Sequence, residues 1–325
     1  MRHLIAALLL TACAAPAVPT STDLTDDTDQ HVIVPEGFGD VRGRICTPAG
    51  DDWVGGAEVS VQGASGDLVT TTNAQGWFTL QAVPAGPQVL QVRSGSFTAQ
   101  HPVEVQPDLL NELPEPACLG ADDLDILVID GRFDDVGSLL TQLDVPFDVV
   151  EAAAAEEILS DGTRLDPYDV ILIECGATVH WAQDRPPTAL RTWVSEGGSL
   201  YASDLTWPVM ATMFPDVVQF AGGRPNQGRE GSAQAKVQDA LLRELLGRDS
   251  LNIHLEPGWA VLSGASAGTV LIDGRALLEN LEYVHAPLAV RGKVDDGRVL
   301  YTSFHQHDLA NDDAVLMLRA MLLSL

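Results

Sequence analysis

The sequence predicts two folded domains, a β-sandwich followed by a three-layer α/β domain around a parallel sheet. Between residues 41 and 106, short runs of alternating apolar and polar residues recur at regular spacing and are separated by turn-forming residues. That pattern is typical of a β-sandwich. From residue 124 onward, strand-like apolar runs alternate with helical ones. This alternation indicates a parallel sheet covered by helices.

The chain is strongly acidic. Its formal net charge is -28, from 46 acidic and 18 basic residues, and its lysines are Lys236 and Lys293. Because little positive charge is available to neutralise phosphates, the composition argues against nucleic-acid binding. An anionic membrane would also repel the folded domains, so membrane attachment would need a covalent lipid or a strongly apolar segment.

The N-terminus has the pattern of an export signal. Arg2 precedes an apolar run, residues 4–10, that is too short to span a bilayer. The run ends at Leu10-Thr11-Ala12-Cys13, which resembles the lipobox of bacterial lipoproteins. The resemblance implies a signal peptide over residues 1–12, a lipid anchor on Cys13 and an extracytoplasmic protein attached to a bacterial membrane. The alternative is an ordinary signal peptide that happens to contain a cysteine.

The residues that follow predict a tether. No aspartate comes directly after Cys13, and this favours the outer membrane over the inner one. Residues 13–40 contain six acidic residues, three prolines and no lysine or arginine. Such a segment cannot bury enough apolar surface to fold, so we expect a disordered acidic spacer.

Three further cysteines bear on the compartment and the fold. In an oxidising compartment, two of Cys46, Cys118 and Cys175 can pair. Cys46 ends the first predicted strand of the sandwich and Cys118 lies just past its last one. We therefore predict a disulfide between them and a free thiol at Cys175, although spacing alone does not fix the pairing.

The sandwich carries motifs of a known family. The segments are Gly43-Arg44-Ile45, Thr72-Asn73-Ala74-Gln75-Gly76-Trp77-Phe78 and Val83-Pro84-Ala85-Gly86. They resemble the carboxypeptidase regulatory-like domain, a transthyretin-like sandwich within the broader carbohydrate-binding-like fold. The resemblance assigns residues 41–106 to this domain and implies a spacing, folding or adhesion role without peptidase chemistry.

A proline-rich connector, residues 107–123, precedes the α/β domain of residues 124–325. Residues 206–288 are hard to interpret, apart from an apparent helix from Ser232 to Leu246. The segment Leu190-Arg191-Thr192-Trp193-Val194-Ser195-Glu196-Gly197-Gly198-Ser199-Leu200, a helix ending in Gly-Gly before a strand, resembles the class I glutamine amidotransferase-like fold. That resemblance implies a flavodoxin-like arrangement of three layers. Function does not follow from it.

Polar residues follow the predicted strands. Ligands bind beyond the carboxyl ends of an open parallel sheet, so these residues are candidate site residues. The alternative is that buried strands simply need polar residues where they emerge into solvent. The candidates are Asp130, Arg132, Glu174, Cys175, Ser203, Asp204, His305, His307 and Asp308.

No complete catalytic motif is present. Enzymes of the resembled fold carry a cysteine on a strand-to-helix elbow, and here that position falls on residues 202–205, which contain neither cysteine nor glycine. The alternatives are a hydrolytic triad of Ser203 with His305 and Asp308, and a thiol pair of Cys175 with His305. His305, His307 and Asp308 also have spacing that suits a divalent metal, but a further ligand is missing.

The sequence therefore favours a non-catalytic binding or adhesion protein without cofactor or metal. A glycan or another protein is the expected ligand. Tryptophan rings can stack on sugars, and four tryptophans lie outside the positions that face the predicted core: Trp53, Trp181, Trp207 and Trp259. The competing hypothesis is a hydrolase that uses Ser203 or Cys175 with His305.

Overall fold

The computed structural model describes residues 37–63, 66–121, 124–222, 225–304 and 312–325. The predicted signal peptide, the anchor at Cys13 and nearly all of the tether lie outside these ranges. So do His305, His307 and Asp308. None of the described helices combines the length and the apolar composition that crossing a bilayer requires.

The N-terminal part is a β-sandwich, as predicted. One sheet has the strand order β4-β1-β7, with β8 also paired to β1, and the other has the order β3-β2-β5-β6. Alternate side chains, such as Val59 and Leu90, are wholly buried between the sheets. The strands are β1 (Phe38–Cys46), β2 (Glu58–Gly63), β3 (Gly66–Thr71), β4 (Trp77–Pro84), β5 (Gly86–Ser94), β6 (Phe97–Val105), β7 (Leu110–Glu112) and β8 (Ala117–Cys118).

The predicted disulfide is confirmed. Cys46 and Cys118 are bonded, and they are also register partners on the parallel strands β1 and β8. Strand β8 has only two residues, so the bond fixes a pairing that few backbone hydrogen bonds support. Cys175 is a free, buried cysteine.

The second part is an α/β fold around a nine-stranded sheet. Its described strands are β9 (Ile126–Ile129), β10 (Asp148–Val150), β11 (Val170–Ile173), β12 (Ser199–Ser203), β13 (Gln219–Phe220), β14 (Gly231–Val237), β15 (Ser250–Leu255), β16 (Leu262–Gly264), β17 (Gly268–Leu277), β18 (Tyr283–Val294) and β19 (Gly297–Thr302). Its described helices are α1 (Val136–Gln142), α2 (Ala155–Leu159), α3 (Gly162–Leu165), α4 (Thr188–Ser195), α5 (Trp207–Met213), α6 (Ala240–Leu246) and α7 (Asp312–Leu322).

The sheet is mixed, so the expectation of a parallel sheet is only partly correct. In the order β10-β9-β11-β12-β19-β18-β17-β14-β15, the first five strands are parallel and the rest are antiparallel. The parallel strands β9 and β11 are buried on both faces because helices cover both sides. Side chains of α1 and α7 pack on one face, and those of α2 to α5 pack on the other. Strands β13 and β16 form a separate pair.

The helix predicted from Ser232 to Leu246 is wrong in its first half. Residues Gly231–Val237 form strand β14, and only Ala240–Leu246 is helical. Alanine, glutamine and lysine in this stretch favour a helix locally, but the segment lies between β15 and β17 and pairs with both. Tertiary pairing therefore overrides local propensity.

The sandwich packs against the end of the chain. The Ser94 hydroxyl donates to the Leu323 carbonyl at 2.7 Å. On α7, Arg319 donates to the Asp51 carboxylate at 2.6 Å. Gly95, in the turn between β5 and β6, has a φ of +58° and lies so close to Leu325 that an added Cβ would be 2.7 Å from its carbonyl oxygen. This turn therefore tolerates only glycine, for two separate reasons.

Gly95→Ala is expected to lower the free energy of unfolding by about 2 kcal/mol, from left-handed strain and from the clash with Leu325. Gly247→Ala is the matched control, because Gly247 has a φ of +64° but open space around its Cβ position. That control should show only the strain, about 1 kcal/mol. Urea unfolding measures both values. Equal losses would contradict the close packing of the turn on Leu325.

Candidate functional site

The parallel strands bring several candidate residues to one edge of the sheet. Ile173 on β11 is the register partner of Ile129 on β9 and of Ala202 on β12. Glu174 and Ser203 therefore emerge side by side. Asp130 and Arg132, after β9, have exposed side chains. They lie outside the buried group that Glu174, Cys175, Ser203 and Asp204 form with Asp134.

Glu174 follows β11 in the chain, and its buried carboxylate lies against the N-terminal end of α1. One of its oxygens accepts the backbone N–H groups of Val136 at 2.7 Å and Gly137 at 3.3 Å, and the other accepts that of Gly131 at 3.0 Å. Burial, followed by the charge of Asp134, raises the pKa of Glu174 to about 7, although the three backbone donors lower it. Near neutral pH, the side chain is thus divided between its two protonation states.

Asp134 is a site residue that the sequence did not reveal. The Asp134-Asp135 pair predicts a helix cap, and Asp135 alone fills that role, by accepting from the Ser138 backbone. Asp134 is buried instead and accepts a hydrogen bond from the Ser203 hydroxyl at 2.6 Å. The sequence does contain a signal for this role, the two adjacent aspartates before a helix. One carboxylate is enough to cap a helix, so the other is expected to have a different role.

The strained residue of the turn after β12 is Asp204. Its φ is +38°, a conformation that non-glycine residues rarely adopt, whereas Ser203 is extended with a φ of -122°. A strained turn thus forms without glycine, and its strained residue is a buried aspartate. The Ala260 backbone donates to the Asp204 carboxylate at 2.7 Å, and the Tyr301 hydroxyl donates to the Asp204 carbonyl, also at 2.7 Å.

Cys175 is wholly buried next to this aspartate. Its Sγ lies 3.8 Å from the Asp204 carboxylate. Burial, and then the negative charge of Asp204, raises the pKa of the Cys175 thiol far above its ordinary value. A reactive cysteine needs a lowered pKa and exposure to its substrate. The surroundings of Cys175 therefore favour the inert thiol.

In the folded chain, Cys175 is expected to react with iodoacetamide roughly a hundredfold more slowly than in guanidinium, because the thiolate is scarce and shielded. Peptide mass spectrometry after timed labelling measures the rate at this residue. Asp204→Asn removes the neighbouring charge and should raise the native rate. Equal rates in folded and unfolded chains would show that the thiol is accessible.

Three of the predicted site residues come after β19. His305, His307 and Asp308 lie outside the described residues, so the triad, the thiol pair and the metal spacing stay predictions. Within the ranges that the structure describes, no cluster of three or more histidine, cysteine, aspartate or glutamate side chains has metal-binding geometry.

The tryptophan expectations are mixed. Trp259 is wholly buried, so its predicted exposure is wrong. Its ring lies against Gly228, where an added Cβ would be 2.1 Å from Nε1. Trp53, Trp181 and Trp207 are partly exposed. The Arg44 guanidinium lies 3.5 Å from the centre of the Trp53 ring, so one face of that ring is already covered by a cation–π contact.

Comparisons with known proteins identify the sandwich. Residues 40–113 match the family model of the carboxypeptidase regulatory-like domain. The match confirms the resemblance of the sandwich and covers less than half of the chain. No curated protein matches the chain.

Several solved structures resemble part of the chain. A cytoplasmic protein of Salmonella typhimurium LT2 is 16% identical with a TM-score of 0.45, covering 62% of this chain and 98% of its own. A putative GMP synthase subunit of Thermoplasma acidophilum is 12% identical with a TM-score of 0.45, covering 63% and 96%. A glutamine amido transferase of Methylobacillus flagellatus is 14% identical with a TM-score of 0.42, covering 62% and 75%.

Proposed function

We propose that this chain is a membrane-anchored extracytoplasmic lipoprotein that binds a carbohydrate or protein ligand and catalyses no reaction. The observation that carries the proposal is the state of the two candidate nucleophiles. The Ser203 hydroxyl is held by Asp134, the Cys175 thiol lies against Asp204, and both side chains are wholly buried. A nucleophile needs a basic partner and access to its substrate. Neither side chain has access to a substrate, because both are wholly buried. The negative charge of Asp204 also raises the pKa of the Cys175 thiol, so the thiol stays protonated.

The sandwich supports the binding part of the proposal, because its resemblance to the carboxypeptidase regulatory-like domain implies a spacing, folding or adhesion role without peptidase chemistry. The Cys13 lipobox and the acidic tether support the anchoring part, with attachment to the outer membrane favoured. The disulfide between Cys46 and Cys118 agrees with an oxidising compartment.

Two experiments test the proposal. In the producing bacterium, mass spectrometry should find Cys13 acylated and the protein in the membrane fraction, and Cys13→Ser should release it.

For catalysis, the full chain should hydrolyse p-nitrophenyl esters and glutamine amides no faster than Ser203→Ala or Cys175→Ala. Turnover that either substitution abolishes would establish the hydrolase instead. A glycan array and a pull-down from cell-envelope extract then identify the ligand.

A further inference from the structure

The second sheet of the sandwich opens into a cleft between β2 and β5. These strands pair at only three positions, and their ladder ends at the pair Ser60–Gln91. Beyond this pair, residues 61–62 of β2 and residues 87–89 of β5 line a concavity of about 600 Å³. The cleft lies between two diverging strands and is separate from the carboxylate-rich edge of the α/β sheet.

The diverging strands present backbone edges to the cleft. Strand β2 pairs with β3 along its whole length, and β5 pairs with β6 from Gly86 to Ser94. Within the described residues, the opposite edges, at residues 61–63 and 86–90, have no ladder partner beyond Ser60–Gln91. An unpaired strand edge is a row of N–H and C=O groups, and an extended peptide satisfies such a row by adding a strand.

The side chains of the cleft suit a peptide better than a sugar. Its polar lining consists mainly of the neutral amides of Gln62, Gln88, Gln91 and Gln100, which both donate and accept. Val89, which is 44% exposed, adds an apolar contact. None of the described lining residues is aromatic. The flat ring on which a sugar stacks is therefore missing here, whereas amides and small apolar groups match a peptide strand.

The charge of the cleft favours a ligand with a basic residue. Asp67 is the one ionisable side chain among the described lining residues. It is exposed at the end of the β2–β3 hairpin, where it is the register partner of Gln62. The chain as a whole carries -28. An acidic ligand would be repelled, so the complementary ligand has a lysine or arginine near Asp67.

We propose that this cleft binds an extended, neutral-to-basic peptide segment of a partner protein as an added strand between β2 and β5. The inference rests on the proposed binding function and narrows its ligand to the protein class. The backbone edges supply affinity, and Asp67 selects a basic residue at one end of the segment.

The test is selection of a phage-displayed library of random decapeptides on the immobilised full chain. Enriched peptides should be poor in proline, rich in β-branched residues and basic at one end. Asp67→Lys should weaken their binding by about tenfold or more. Glu58→Lys is the matched control, with the same charge change at an exposed position of the same hairpin but outside the cleft lining. It should bind within about twofold of wild type.

Hydrogen exchange with the best selected peptide locates the contact. Amides in residues 61–63, 86 and 88–90 that are not already bonded to β3 or β6 should gain protection. Failure to enrich any peptide, equal binding by Asp67→Lys, or protection elsewhere would overturn the inference. Cellohexaose that binds and protects the cleft would also overturn it, yet the proposed binding function would stand. Ester or amide turnover by the full chain would instead remove the proposed function.

Discussion

Replacing Cys46 and Cys118 together by alanine is expected to lower the free energy of unfolding by about 4 kcal/mol. The bond spans a sequence separation of 72 residues, and in the chain-entropy model a loop of that length raises the free energy of the unfolded state by about this amount. Urea unfolding of the oxidised wild type and of the double variant measures the difference.

The folded state adds a local reason for the effect. Strand β8 is held to β1 at Cys46 itself, and the loop that follows β1 bonds Arg319 of α7 through Asp51. Without the disulfide, β8 should exchange its amide hydrogens faster, and the sandwich should loosen against α7. Dithiothreitol is the control: it should weaken the wild type and leave the double variant unchanged. A double variant within about 1 kcal/mol of wild type would contradict the loop-entropy account.

The sandwich was more predictable from sequence than the sheet of the α/β part. The strand pattern predicted between residues 41 and 106 is present as β1 to β6, because glycine or proline marks the turns between neighbouring strands. Strands β7 and β8 arise inside the predicted connector. They have three and two residues and exist through pairing with β1. No local sequence pattern predicts such short strands.

The sequence predicted which residues follow the parallel strands, but not the contacts that these residues make. Glu174 and Ser203 lie side by side because β11 and β12 are parallel neighbours in register. The sequence could not show that Asp134 turns inward to hold Ser203, or that Asp204 takes the strained conformation. Both depend on which of two neighbouring residues occupies one local role, and the tertiary packing decides that.

The pH dependence of stability follows from Glu174. Its pKa is raised by burial from 4.5 in the unfolded chain to about 7 in the folded one. Below about pH 4.5, both states are protonated and the group contributes no difference. As the pH rises from there to 7, the unfolded state ionises first, so the free energy of unfolding falls. The loss is about 3 kcal/mol, from 1.36 kcal/mol per unit of pKa difference.

Glu174→Gln is expected to remove this dependence. The glutamine amide does not titrate. The free energy of unfolding of the variant, measured relative to wild type, should therefore rise by about 3 kcal/mol between pH 4.5 and pH 8. The slope, not the offset, is the readout, because the amide nitrogen cannot accept the Gly131 N–H as the carboxyl does. Glu196→Gln, the same change at an exposed position after α4, should follow the wild-type curve. If Glu174→Gln followed it too, the carboxylate would be stabilised by its three backbone donors strongly enough to offset burial, and this edge of the sheet would be an anion-tolerant site.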